Sequence, residues 1–146
     1  MTEEETAMVQ LIIGDKGKGK TKQLLDKVNL SIKSANGNIV YLDKSSKHMY
    51  DLNNKVRLID VSEFSLKNSD EFVGFVCGII SQDHDLEEIY FDGFREMSKL
   101  EWKDITHTIQ RMEEISNKYN IKMIISVSAE ASELSDTLKD KVLVAL

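Results

Sequence analysis

The 146-residue chain contains no proline, a single cysteine, a single tryptophan and only three arginines, Arg57, Arg95 and Arg111. One thiol, Cys77, excludes an internal disulfide framework and a cysteine-built zinc site. It lies in the apolar run "EFVGFVCGII", which predicts a buried packing role for it. Without proline, turns must be read from Gly, Asn, Ser and Asp. The shortage of arginine leaves few candidates for a cationic finger in phosphoryl transfer. No apolar run approaches the ~20 residues that cross a bilayer. The acidic start, "MTEEETAMVQ", lacks the basic and apolar regions of a signal peptide. These absences predict a cytoplasmic protein with residues 1–7 outside its folded part.

The remaining composition is that of an ordinary globular domain, 41% hydrophobic and 30% charged, with a net charge of −6. An acidic balance disfavours nucleic acid, which needs a basic face to neutralise phosphates. The length predicts one domain over 1–146. Short apolar runs at 8–13, 38–43, 87–93, 121–129 and 141–146 alternate with stretches of helical periodicity. Helices are expected from Lys20 to about Ser34, from a cap at Ser69 through the 72–80 run, and from about Lys99 to Tyr119, with a short one in "ELSDTL". Gly37 is expected as a left-handed cap, and Gly74 and Gly78 as points of close approach. Strand–helix alternation predicts a three-layer α/β/α domain around a mostly parallel five-stranded sheet. Residues 55–61 are a further candidate, at an edge.

Between the first strand and first helix stands "GDKGKGKT", residues 14–21. Gly14, Gly19, Lys20 and Thr21 satisfy G-x-x-x-x-G-K-[ST], in the strand–loop–helix context the motif requires. Glycines let the backbone curl around phosphate oxygens, with amides and the helix N-terminus supplying positive charge. Lys20 is expected to reach the outer phosphates and Thr21 to ligate Mg²⁺. Asp15, Lys16, Gly17, Lys18 and Lys22 complete the candidate nucleotide-binding set, with Lys16 and Lys18 either on phosphate or merely solvated. "EIYFDG" places Asp92 at the carboxyl end of a strand, where sheets of this class bind ligands, as a second Mg²⁺ ligand.

The pattern G-x-x-G-x-G-K-T resembles the P-loops of RecA-like and AAA-type ATPases, and "EIYFDG" resembles their Walker B motif. The resemblance implies sheet order 5-1-4-3-2: last strand, first, a sensor strand, the Asp92 strand, then the second. Ser126 or Ser128, ending the sensor strand, would then face the γ-phosphate. That family usually carries a glutamate after the aspartate, where this chain has Gly93. Asp43 and Glu96 are substitutes by position, and Arg95 is the best-placed arginine. The quoted stretches "LIIGDKGKGKTK", "GNIVYLD", "HMYDL" and "IYFDG" also resemble small clostridial-type ATP-binding proteins, including some described as twitching motility proteins of the PilT type. Thymidine kinases share a related core, but their four-cysteine zinc lasso is excluded here. His48, His84 and His107 show no metal-ligand spacing, and no guanine-selecting N-K-x-D is present.

Three readings follow. The first is a slow Mg²⁺-dependent ATPase, activated by self-assembly or a protein partner. The second is an ATP-occupied switch with little turnover, and the third a small-molecule kinase.

Overall fold

The computed structural model describes residues 7–146, so the expectation for residues 1–7 falls, apart from Ala7, outside the described residues. The elements run β1 (Val9–Gly14), α1 (Lys20–Ser31), β2 (Asn38–Asp43), β3 (Arg57–Asp60), α2 (Ser69–Ser81), β4 (Leu86–Asp92), α3 (Phe94–Ser98), α4 (Ile105–Tyr119), β5 (Lys122–Ser128), α5 (Asp136–Lys139) and β6 (Val142–Ala145). The sheet has six strands rather than five, in the order β3-β2-β4-β5-β1-β6. Every strand pairing in it is parallel. The sixth is the edge candidate: Arg57–Asp60 pairs in register with the outer side of β2.

Burial on both faces explains why the strands read as continuous apolar runs. All six residues of β1 are buried. One face carries Leu11, Ile13, Val40, Leu42, Ile89, Phe91, Met123 and Ile125 beneath α2, α3, α4 and α5. Phe72 of α2 meets Phe91 and Phe94 edge-on at ring separations of 6.1 and 5.6 Å. Ile12, Ile39, Tyr41, Tyr90 and Ile124 line the opposite face, under Leu24 and Val28 of α1 and Leu52 and Val56 of the β2–β3 connection. The division follows chain direction. Passage from β1 through β2 to β3 moves one way across the sheet, and later crossovers move back, so right-handed connections fall on opposite faces.

Local expectations are corrected at several places. The α2 cap is Asn68, whose side chain accepts the Glu71 amide, rather than Ser69. Lys99 adopts a left-handed φ of 57° and breaks the third helix, so α4 starts at Ile105. Cys77 is exposed, on the outer side of α2. Nothing lies within 4 Å of a Cβ built at Gly74 or Gly78, so no neighbour approaches them. Gly37 is not left-handed. A Cβ there would sit 2.0 Å from the Asp85 carbonyl oxygen, so close packing of the β2 start on the turn before β4 demands the glycine.

Substitution should therefore act in opposite directions at two glycines. Gly37→Ala is expected to destabilise the fold by roughly 1–3 kcal/mol through overpacking. Gly74→Ala, in open space within a helix, should stabilise it by roughly 0.5–1 kcal/mol. Urea unfolding midpoints at constant slope measure both.

Candidate functional site

In a parallel sheet all carboxyl ends lie on one edge, and here that edge gathers the chemistry. Gly14 pairs with Ser128, while Asp43 pairs with Asp60 on one side and Asp92 on the other. Because side chains alternate, Asp43 shares a face with Tyr41, and Asp92 with Tyr90. That face is the one α1 covers, so the first turn of α1 meets the two aspartates.

Residues 15–19 turn sharply enough that Gly17 and Gly19 take φ of 84° and 100°, values other residues adopt at a cost. Lys20 opens α1 and folds back over the loop, its Nζ donating to the carbonyls of Gly14 at 2.9 Å and Asp15 at 3.1 Å. Desolvation lowers its pKa, an effect opposed by Glu96 and reinforced by Lys44. Thr21 Oγ1 donates to Asp92 Oδ1 at 3.1 Å, and Tyr41 donates to Asp92 Oδ2 at 2.8 Å. Asp92 is thus buried at the sheet edge with both oxygens fixed. Burial first, and the Asp92 charge second, push the Tyr41 hydroxyl well above the usual phenol range, so it stays a donor.

Asp43 is 2% exposed. Its Oδ1 accepts the Lys44 amide at 2.7 Å, but its Oδ2 has no hydrogen-bond partner. Burial, and then the neighbouring Asp92, raise its pKa above the usual carboxylate range; the Lys44 amide, His48 and the Lys44 side chain oppose this. His48 comes from the turn after β2. Asp43, His48 and Asp92 each present a ligand atom within 4.8 Å of the other two, although the sequence shows no such spacing among its histidines.

One cleft of ≈ 430 Å³ at this edge is lined by Lys16, Gly17, Gly19, Lys20, Thr21, Lys44, Lys47, His48, Asp92, Gly93, Glu96, Ser126 and Ser128, with Asp43 and Tyr41 behind that lining. Four lysines against two carboxylates suit a polyanion accompanied by a cation. Of the sequence candidates, Lys16, Gly17, Gly19, Lys20, Thr21, Asp92, Glu96, Ser126 and Ser128 line it. Gly14 lies beneath, at the end of β1. Asp15 and Lys18 are exposed on the loop. Lys22 is turned away into an ion pair with Asp26 at 3.1 Å. Arg95 is also held elsewhere, donating to the Ser128 carbonyl at 2.8 Å and lying 4.5 Å over the Trp102 ring. Ser126 is buried and accepts the Gly93 amide at 2.8 Å.

Gly93 itself has φ 87°, and a Cβ there would meet Lys44 Nζ at 3.0 Å and Glu96 Oε2 at 3.1 Å. A glutamate at 93 is therefore disfavoured by the backbone, and the ends of Lys44 and Glu96 would have to shift for it. Tyr41, Lys44, Lys47 and His48 escaped sequence reading. The clue in the sequence was "YLDKSSKH", an aspartate ending a strand and a basic turn following it. No protein-family model matches the chain, and no curated protein matches it.

A buried carboxyl with a raised pKa holds its proton more tightly in the folded state than in the unfolded chain. Its contribution to stability then falls as pH rises from the ordinary aspartate value of ~3.9 through the raised one. Asp43→Asn should therefore raise the thermal midpoint of the metal-free protein at neutral pH, with the gain fading on acidification. Melting curves from pH 4 to pH 8 check this.

Proposed function

We propose that the chain is a Mg²⁺-dependent ATP-binding protein of the P-loop class with slow hydrolysis at most. The observation that carries the reading is the Thr21–Asp92 contact: the hydroxyl and carboxylate that such a motif assigns to one cation lie 3.1 Å apart, between the start of α1 and the end of β4. The donor set fits the ion, since a carboxylate and a hydroxyl are hard oxygen ligands that leave other positions to phosphate and water. Thr21 and Asp92 are the residues to hold it, and a bound Mg²⁺ there would neutralise phosphate charge.

Around that pair the loop backbone and helix start offer amides to phosphates. Lys20 needs only to exchange its two carbonyl contacts for phosphate oxygens. Lys16, Lys44 and Lys47 add positive charge on the cleft wall. The strand order β6-β1-β5-β4-β2, with one strand between β1 and the Asp92 strand, supports a RecA-like arrangement over a kinase-like one. ATP is favoured over GTP by the missing guanine motif, and no helix among the described residues is long and apolar enough to cross a membrane. We place the protein in the cytoplasm on its sequence.

Turnover is the weaker half of the reading. Gly93 occupies the usual position of the water-polarising glutamate, and Arg95 is engaged with Ser128 and Trp102. A general base must sit within hydrogen-bond reach of the attacking water. Glu96, which lines the cleft, is the carboxylate we propose for that role. A homo-oligomer or a protein partner would supply what the chain lacks for faster hydrolysis.

Lys20→Ala is expected to weaken Mg-ATP binding by at least tenfold in calorimetric titration; unchanged affinity would remove the P-loop reading. Incubation with Mg-ATP over a protein concentration series separates the remaining choices. Phosphate release rising faster than protein concentration marks assembly activation. Binding without product marks a switch, and a phosphorylated small acceptor marks a kinase.

A further inference from the structure

We propose that Asp43, His48 and Asp92 form a divalent transition-metal site that fills without nucleotide. The site goes beyond the nucleotide reading and does not depend on it.

Two buried carboxylates stand side by side in register on β2 and β4. Asp92 is satisfied by Thr21 and Tyr41, but Asp43 is buried with Oδ2 unpartnered. An unpaired carboxylate oxygen at such depth is costly unless a proton or cation meets it. A histidine beside the pair supplies a third ligand for a cation. Its ring lies with both carboxylates, every pair of ligand atoms within 4.8 Å. Three donors around one ion at about 2.1 Å stand about 3.0–3.6 Å apart, so the turn carrying His48 must draw in by an ångström or so to seat it.

Ligand type then sets the metal. Mg²⁺ and Ca²⁺ take oxygen donors, whereas imidazole beside carboxylates suits Mn²⁺, Fe²⁺ or Zn²⁺. His48 also has a carboxylate partner outside the site, as metal-bound histidines commonly do. Its Nδ1 lies 3.2 Å from Asp51 Oδ2, so a carboxylate outside the site holds the ring. The lysines nearby do not close the site to a cation. Lys44 Nζ stands near Gly93 and Glu96, and Lys20 Nζ is spent on loop carbonyls. An ion here ties the turn carrying His48 to the strand ends, fixing the cleft wall that holds Lys44 and Lys47.

Mn²⁺ alone is the probe, titrated into nucleotide-free protein and followed by loss of the free-ion EPR signal. One ion per chain is expected, undisplaced by excess Mg²⁺. Asp43→Asn and His48→Gln should each weaken it by at least tenfold. Asp51→Asn, at an exposed position, should weaken it by roughly tenfold through loss of ring orientation. Retained melting transitions in Mn²⁺-free buffer exclude misfolding as the cause. Absence of binding without nucleotide, ready displacement by Mg²⁺, or binding indifferent to both Asp43→Asn and His48→Gln would overturn the site. Lys20→Ala separates the two proposals, because it should weaken ATP binding by at least tenfold and leave Mn²⁺ binding intact. Should wild-type protein bind Mn²⁺ but no ATP, the P-loop reading falls and the metal site stands.

Discussion

Asp92 is the constraint around which this edge of the molecule is built. A carboxylate at the end of an interior strand, 3% exposed, must be met from every side or left uncompensated. Thr21 meets it from the start of α1, and Tyr41 from the neighbouring strand. Those two bonds fix where α1 begins relative to the sheet, and hence where the 14–19 loop opens. The loop supplies cationic character, while Asp92 sets its distance from the strand ends. Tyr41 is itself positioned by lying flat beside Tyr90, ring centroids 6.2 Å apart, under the single helix on that face.

The uneven covering of the sheet has a consequence for the site. Four helices and most of the large buried side chains pack one face. The other is closed by α1 and the connection after β2, and the cleft lies where those two meet. Lys44, Lys47 and His48 belong to this connection, which has a short 3-10 turn at Met49–Asp51 and otherwise little regular structure. Its anchors are Leu52 and Val56, together with the Asn29 side chain, which donates to the Asp51 carbonyl and accepts the Asn53 amide. A segment held at its far end, with polar groups at its near end, can respond to what the cleft binds.

Much of this was legible in the chain, for identifiable reasons. Buried parallel strands announce themselves as apolar runs, so β1, β2, β4 and β5 were placed within a residue or two. The loop residues and Asp92 were legible because their spacing is dictated by local geometry. What escaped depends on register between distant strands. Nothing near Asp43 in sequence shows that Asp92 lies opposite it, or that His48 returns to both. Gly37 was misjudged for the same reason, since its need for a missing side chain arises from the Asp85 carbonyl rather than from the helix before it. Cys77 shows the opposite failure. The apolar run around it is longer than the face α2 can bury, and one residue of such a run must point outward.

Gly93 turns these local facts into a statement about chemistry. The chain leaves β4 and enters α3 within one residue, and that turn needs φ 87°. Its amide is spent on Ser126 and its missing side chain leaves room for Lys44 and Glu96. A side chain at 93 would strain the left-handed backbone and push aside the ends of Lys44 and Glu96. On the proposed reading, the left-handed backbone at 93 disfavours an adjacent water-polarising glutamate in this turn. The geometry here favours the grip. Acceleration of hydrolysis must then come from a group brought in from outside the turn, whereas binding needs nothing beyond what the strand ends already hold.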